Sequence, residues 1–125
     1  IRNCLVGSEM CIRDRRLKMK VMVLAKYSAA AYAGLMKNPD DDRRAAIASM
    51  MEKCGGKMLD LQFLRGEYDI CVIGEIDSFE DMAAIKMLIM SSGSLDEMKV
   101  MEVVDLNVIA SKAAAIAGNY RAPGS

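Results

Sequence analysis

The chain is 125 residues long, 53% hydrophobic and 27% charged, and its 17 basic and 17 acidic side chains balance at neutral pH. That size and mix suit one globular domain with a single core and exclude a disordered chain. No apolar run reaches the roughly 18 residues of a membrane span, so a soluble, cytoplasmic protein with no membrane partner is expected.

The first segment, residues 1–18, follows neither the strand nor the helix period, and Gly7 and Ser8 break its one apolar pair, Leu5 and Val6. Its central run, CLVGSEMCIRDR at residues 4–15, resembles the translation of a transposase end sequence used as an adapter in DNA library preparation. The resemblance implies a non-native leader of metagenomic origin, with Met19 as the expected start. Setting residues 1–18 aside removes five basic and two acidic side chains and leaves 12 and 15, a net charge near −3. The N-terminal basic arm goes with them, and Arg43-Arg44 is too small a patch to suggest a nucleic-acid partner. Cys54 and Cys71 remain, without C-x-x-C spacing, which fits a reducing compartment.

Residues 20–27 (KVMVLAKY) predict the first strand, with Val21, Val23, Ala25 and Tyr27 on one face and Met22 and Leu24 making the other face apolar too. Residues 28–38 are alanine-rich and helical or turn-like. Asn38 and Pro39 then predict a helix start, with Asp40, Asp41 and Asp42 in its first turn, where negative charge favours the helix dipole. Ile47, Met50, Met51 and Cys54 form its buried stripe, and Gly55-Gly56 ends it.

Residues 57–65 (KMLDLQFLR) alternate as a strand, with Leu59, Leu61 and Phe63 on one face. Gly66-Glu67 is a turn, and residues 68–76 (YDICVIGEI) return as the next strand of a hairpin. Ser78 and Asp81 form a capping box ahead of Met82, Ile85 and Ile89, opening a helix that runs to about Ser92. Residues 98–104 give the fourth strand. Asp105 caps a last helix carrying Leu106, Ile109, Ala113 and Ile116.

The order β-α-β-β-α-β predicts an α+β, ferredoxin-like fold: a four-stranded antiparallel sheet with helices on one face and an extra C-terminal helix. Two helices cannot cover both faces of four strands. The open face still carries apolar residues, so a second copy of the chain is the expected partner, a homodimer through the open sheet face.

One short signature goes further. Gly66-Glu-Tyr-Asp69 opens the third strand, with Gly55-Gly56-Lys57 before the second strand and Tyr68-Asp-Ile-Cys-Val-Ile-Gly-Glu75 after the turn. Over residues 20–104 this resembles the GYD-domain family, named for such a Gly-x-Tyr-Asp-like signature. The resemblance implies a dimeric α/β barrel and carries no reaction with it. The alanine-rich C-terminal helix departs from the family's usual ending. The domain is therefore expected at residues 19–105, with residues 106–125 as C-terminal helix and tail.

Chemistry is sparse. The chain has no histidine, which removes Ser-His-Asp and Cys-His nucleophilic sites and histidine-containing metal sites. No calcium loop, dinucleotide fingerprint or P-loop is present, so no metal and no cofactor is expected, and no catalytic residue is assigned. Tyr68 and Asp69 either position a polar ligand or move a proton, if burial raises the Asp69 pKa, or serve structure, Asp69 binding turn amides while Tyr68 packs on the sheet. Tyr27 and Tyr32 flank the end of the first strand, at the mouth of the pocket such folds keep between sheet and helices. Cys71 shares its face with Asp69 and Glu75, not the electropositive setting of a reactive thiol. Eleven methionines in residues 19–125 fall at core spacing and read as gap-fillers. The expected function is binding of a small, partly apolar molecule, with Tyr27, Tyr68 and Asp69 as its polar fixtures. The alternative is a non-catalytic sensor or assembly module acting through oligomerisation.

Overall fold

A computed structural model describes residues 18–124. The leader expected at residues 1–18 lies outside the described residues except for Lys18.

The described chain runs β1 (Met19–Tyr27), α1 (Ala29–Lys37), α2 (Arg43–Lys53), β2 (Lys57–Phe63), β3 (Ile70–Ile76), α3 (Phe79–Ser91), β4 (Leu95–Glu102) and α4 (Leu106–Ile116), closing with a 3₁₀ turn at Ala117–Asn119. The four strands form one antiparallel sheet in the order β2-β3-β1-β4. This is the split β-α-β arrangement expected from the order of elements.

Alternation along the strands decides which side chains meet the helices. Val21, Val23 and Ala25 of β1 and Ile70, Val72 and Ile76 of β3 face α2 and α3, and all are buried. Met51 of α2 and Met82 and Ile85 of α3 complete the layer from above, joined by Leu61 of β2 and Met98 of β4. Leu61 and Ile76 are completely enclosed. Burying each such side chain contributes roughly 1.5–3 kcal/mol. One close approach permits this packing. Gly74 pairs with Val21 and Met58, and a Cβ there would meet the Met51 methyl group and lie 2.9 Å from the Lys57 carbonyl oxygen.

The capping residues behave as short-range chemistry dictates. Ser78 Oγ accepts the Asp81 N–H at 3.2 Å and donates to the Asp81 carboxylate at 3.0 Å. Asp105 Oδ1 accepts the Asn107 N–H at 3.0 Å. Gly55, at φ +81°, takes the left-handed turn that ends α2.

Four local expectations are corrected. Asn38 and Pro39 do not start a helix. The Asp41 N–H donates to the Asn38 carbonyl at 3.1 Å, closing a turn with Pro39 in its second position, which its fixed φ suits as well as a helix start. Asn38 instead ends α1, and Asp42 caps α2 by accepting the Ala45 N–H at 3.0 Å. In β2 the register slips between Met58 and Asp60, so Leu59 is a bulge residue and Met58 takes the core face beside Gly74. Leu59 is 42% exposed while Leu61 is fully enclosed, although simple alternation puts them together. β3 begins at Ile70, leaving Tyr68 and Asp69 just before it, and β4 begins at Leu95, three residues ahead of the expected position. A second bulge, at Asp96 of β4 opposite Lys26 and Tyr27, hides the start of β4 from any alternation pattern.

Among the described residues no helix covers the opposite sheet face. Met22 pairs there with Ile73 and Met101, and Leu24 pairs with Cys71 and Lys99. These central apolar side chains are half-buried by their neighbours, and Met101 is exposed. α4 is exposed along its whole length, Leu106, Val108, Ile109 and Ile116 included. No helix among the described residues is long and apolar enough to cross a membrane.

Candidate functional site

The layer of two helices does not close over the sheet. A cavity of about 280 Å³ lies between α2, α3 and the strands beneath them. Its floor is Val21, Val23, Ala25, Ile70 and Val72, and its walls are Ile47, Met50 and Met51 from α2 and Met82, Ile85 and Ile89 from α3. The methionines suit a surface that adapts to its contents. Polar side chains enter the lining from the C-terminal end of β1: Tyr27, Arg43 at the start of α2, and Ser92 and Ser94 in the α3–β4 turn.

Several bonds draw these residues to one end. Ser28, buried although polar, caps α1 by accepting the Ala31 N–H at 3.2 Å. Its own hydroxyl donates to the Gly93 carbonyl at 2.6 Å, and its backbone N–H donates to the Ser94 carbonyl at 2.9 Å. The end of β1 is thereby tied to the α3–β4 turn. On the other side, the Asp69 carboxylate accepts the Tyr27 N–H at 2.8 Å, while the Asp69 N–H donates to the Ala25 carbonyl at 2.9 Å. Charge-assisted bonds of this kind are roughly twice as strong as neutral ones.

The Tyr27 ring meets the Tyr32 ring edge-on, 6.1 Å between centroids. Hydrogen bonding of the Tyr32 phenol to the Asp69 carboxylate, then burial and the nearby charges of Asp69 and Asp96, hold the Tyr32 pKa above its ordinary value. The Tyr27 hydroxyl is shut off from water and has no hydrogen-bond partner. A buried donor left unpaired costs about 1–3 kcal/mol.

The three residues expected to fix a ligand therefore have three different settings. Tyr27 lines the cavity. Asp69 stands behind it, holding its backbone. Tyr68 lies with open-face side chains, its ring 5.3 Å from the Lys26 ammonium and 5.6 Å from that of Lys99. Glu97 bridges the same two lysines, at 3.4 and 3.3 Å. Its pKa is lowered by hydrogen bonding to Lys99 and then Lys26, and that of Lys99 is raised by Tyr68 and then Glu97.

In the sequence Arg43 stands as half of a small basic pair with Arg44. The signal for it is the helical period: Arg43 stands four residues before Ile47 and seven before Met50, on the same buried stripe. Its nearest counter-charge is Asp41, at 3.5 Å on the rim. Arg44 points elsewhere, over the Phe63 ring at 5.9 Å.

Comparisons with known proteins agree with this architecture. The model of the GYD domain matches residues 22–113. Among solved structures, the crystal structure of MtbAldR superposes with a TM-score of 0.51 at 14% identity, covering 70% of this chain and 54% of that one. This chain thus spans about half the length of MtbAldR. FFRP-DM1 gives a TM-score of 0.47 at 17% identity over 69% of this chain and 99% of that one. PH0061 gives 0.41 at 14% identity over 74% and 55%. A comparison with curated proteins returned no match. At 14% identity the likeness to MtbAldR is one of fold.

Proposed function

The chain belongs to the GYD-domain family, and on that premise we propose that it binds a small, partly apolar molecule in the cavity between its sheet and helices. The observation that carries this reading is the cavity itself: about 280 Å³ of space walled by aliphatic and thioether side chains, with polar groups from the β1 end. Close-packed interiors leave few voids larger than a water molecule. A cavity near the lower end of the range for ligand sites, mostly apolar with a few placed polar groups, is the form such sites take. Tyr27 is the residue that touches the ligand, and Asp69 positions Tyr27 through its backbone.

A second reading, assembly through oligomerisation, is favoured by the open sheet face. Met22, Leu24, Cys71 and Ile73 lie in adjacent cross-strand pairs there, and a homodimer would cover them. The two readings are compatible. The proposal takes residues 19–105 as the domain and 106–125 as a helix and tail, although the family match runs to residue 113, inside α4. It places the protein in the cytoplasm, where Cys54 and Cys71 would stay as free thiols.

Native mass spectrometry of the full chain, purified without added ligand, tests both readings. A dimer carrying the extra mass of a small molecule supports them. A clean monomer that also fails to take up any of a panel of small neutral amphiphiles overturns them.

A further inference from the structure

Resting on the cavity reading above, we infer that the occupant is a compact monoanion, an apolar body ending in a carboxylate-type head, with Arg43 as its counter-charge. Among the described side chains lining the cavity Arg43 alone is charged, and the nearest carboxylates, Asp41 and Asp42, line an adjoining cleft on the outer side of Tyr27 and Arg43. The guanidinium has only the long, solvent-screened contact with Asp41 to satisfy it, and such rim pairs are weak. Tyr27 lines the same cavity, and its hydroxyl is a buried group without a partner. The serines at this end are already engaged, Ser92 Oγ donating to the Ile89 carbonyl at 2.6 Å and lying 2.9 Å from Ser94 Oγ. What remains unspent is therefore one positive charge and one phenol, both of which donate. An anionic head that only accepts is complementary to both, and a planar guanidinium matches a carboxylate with two parallel bonds. A turn of the Tyr27 ring toward such a head would end its isolation. A cationic head would meet the Arg43 charge inside a lining whose described side chains include no carboxylate.

Size narrows the class. At about 280 Å³ the cavity lies near the lower end of the range for ligand pockets and suits a small occupant. A medium-chain monocarboxylate is of that size.

The test is calorimetric titration of the full chain with octanoate, octanol and octylammonium, which share one apolar tail. Octanoate is expected to bind about ten-fold or more tighter than octanol, with octylammonium weakest. Arg43→Gln should bring octanoate down to the affinity of octanol, Arg43→Lys should restore part of the gap, and Arg44→Gln should keep it. Equal binding of all three ligands would leave the cavity reading standing and overturn the anion. Binding by none of them would overturn both. A preference for octanoate that persists in Arg43→Gln would remove Arg43 from the site.

Discussion

Asp69 holds Tyr27 by its backbone: the carboxylate accepts the Tyr27 N–H at 2.8 Å, joining positions 42 residues apart at the mouth of the cavity. Replacing Asp69 with alanine leaves that part-buried N–H without its charged acceptor and should destabilise the fold by about 1.5–3 kcal/mol. Asp69→Asn keeps a neutral acceptor oxygen and should cost less. Urea unfolding of both variants checks the order.

The same carboxylate governs Tyr32. Its phenol titrates above the ordinary tyrosine value of about 10. A folded pKa raised above the unfolded one means that this contribution to stability is fully present below pH 10. It is lost as pH rises through the raised value. Absorbance titration near 295 nm should show one phenol ionising late, and Asp69→Asn should bring its midpoint back toward 10. A midpoint unmoved by that substitution would separate Tyr32 from Asp69.

Tyr27→Phe should act in opposite directions on stability and binding. Removing an unpaired buried hydroxyl should raise stability by about 1 kcal/mol, because the free protein no longer carries an unsatisfied group. Affinity for octanoate should fall about three-fold or more, as one donor is lost. Thermal unfolding and calorimetry on one preparation read both.

Gly74→Ala should destabilise by about 1–3 kcal/mol through overpacking. The new methyl group meets both the flexible end of Met51 and the fixed Lys57 carbonyl at 2.9 Å. Met51→Ala in the same chain should therefore fail to restore the loss, since the backbone contact remains. Denaturant midpoints of the single and double variants decide it.

Leu24→Glu probes the open sheet face. Leu24 is half-buried between Cys71 and Lys99, so a single chain should tolerate the change within about 0.5 kcal/mol. A dimer formed across this face would bury the new charge and should weaken by about a hundred-fold or more. Sedimentation velocity over a range of concentrations distinguishes the two.

Most of the fold is legible in the sequence. Val21, Val23 and Ala25 announce one face of β1, the Ser78–Asp81 box opens α3, and Asp105 caps α4, because each signal is carried by residues within a few positions of one another. Where a local signal had two uses, the reading failed. Pro39 suits a turn as well as a helix start, and Leu59 keeps the alternation of a strand that in fact bulges. Tyr27 was legible as a residue of the cavity mouth, but Arg43 was hidden by its neighbour Arg44.

By itself the sequence determined the order of the strands and capped helices and the family, since hydrophobic period, caps and the Gly66–Asp69 signature are properties of neighbouring residues. Only the tertiary structure decided that Tyr27, Arg43 and Ser94 converge on one cavity mouth while Tyr68 turns to Lys26 and Lys99. Pairing register sets that convergence. The bulges in β2 and β4, and the bonds of Ser28 and Asp69 to segments 65 and 42 residues away, select it from several arrangements with the same local pattern.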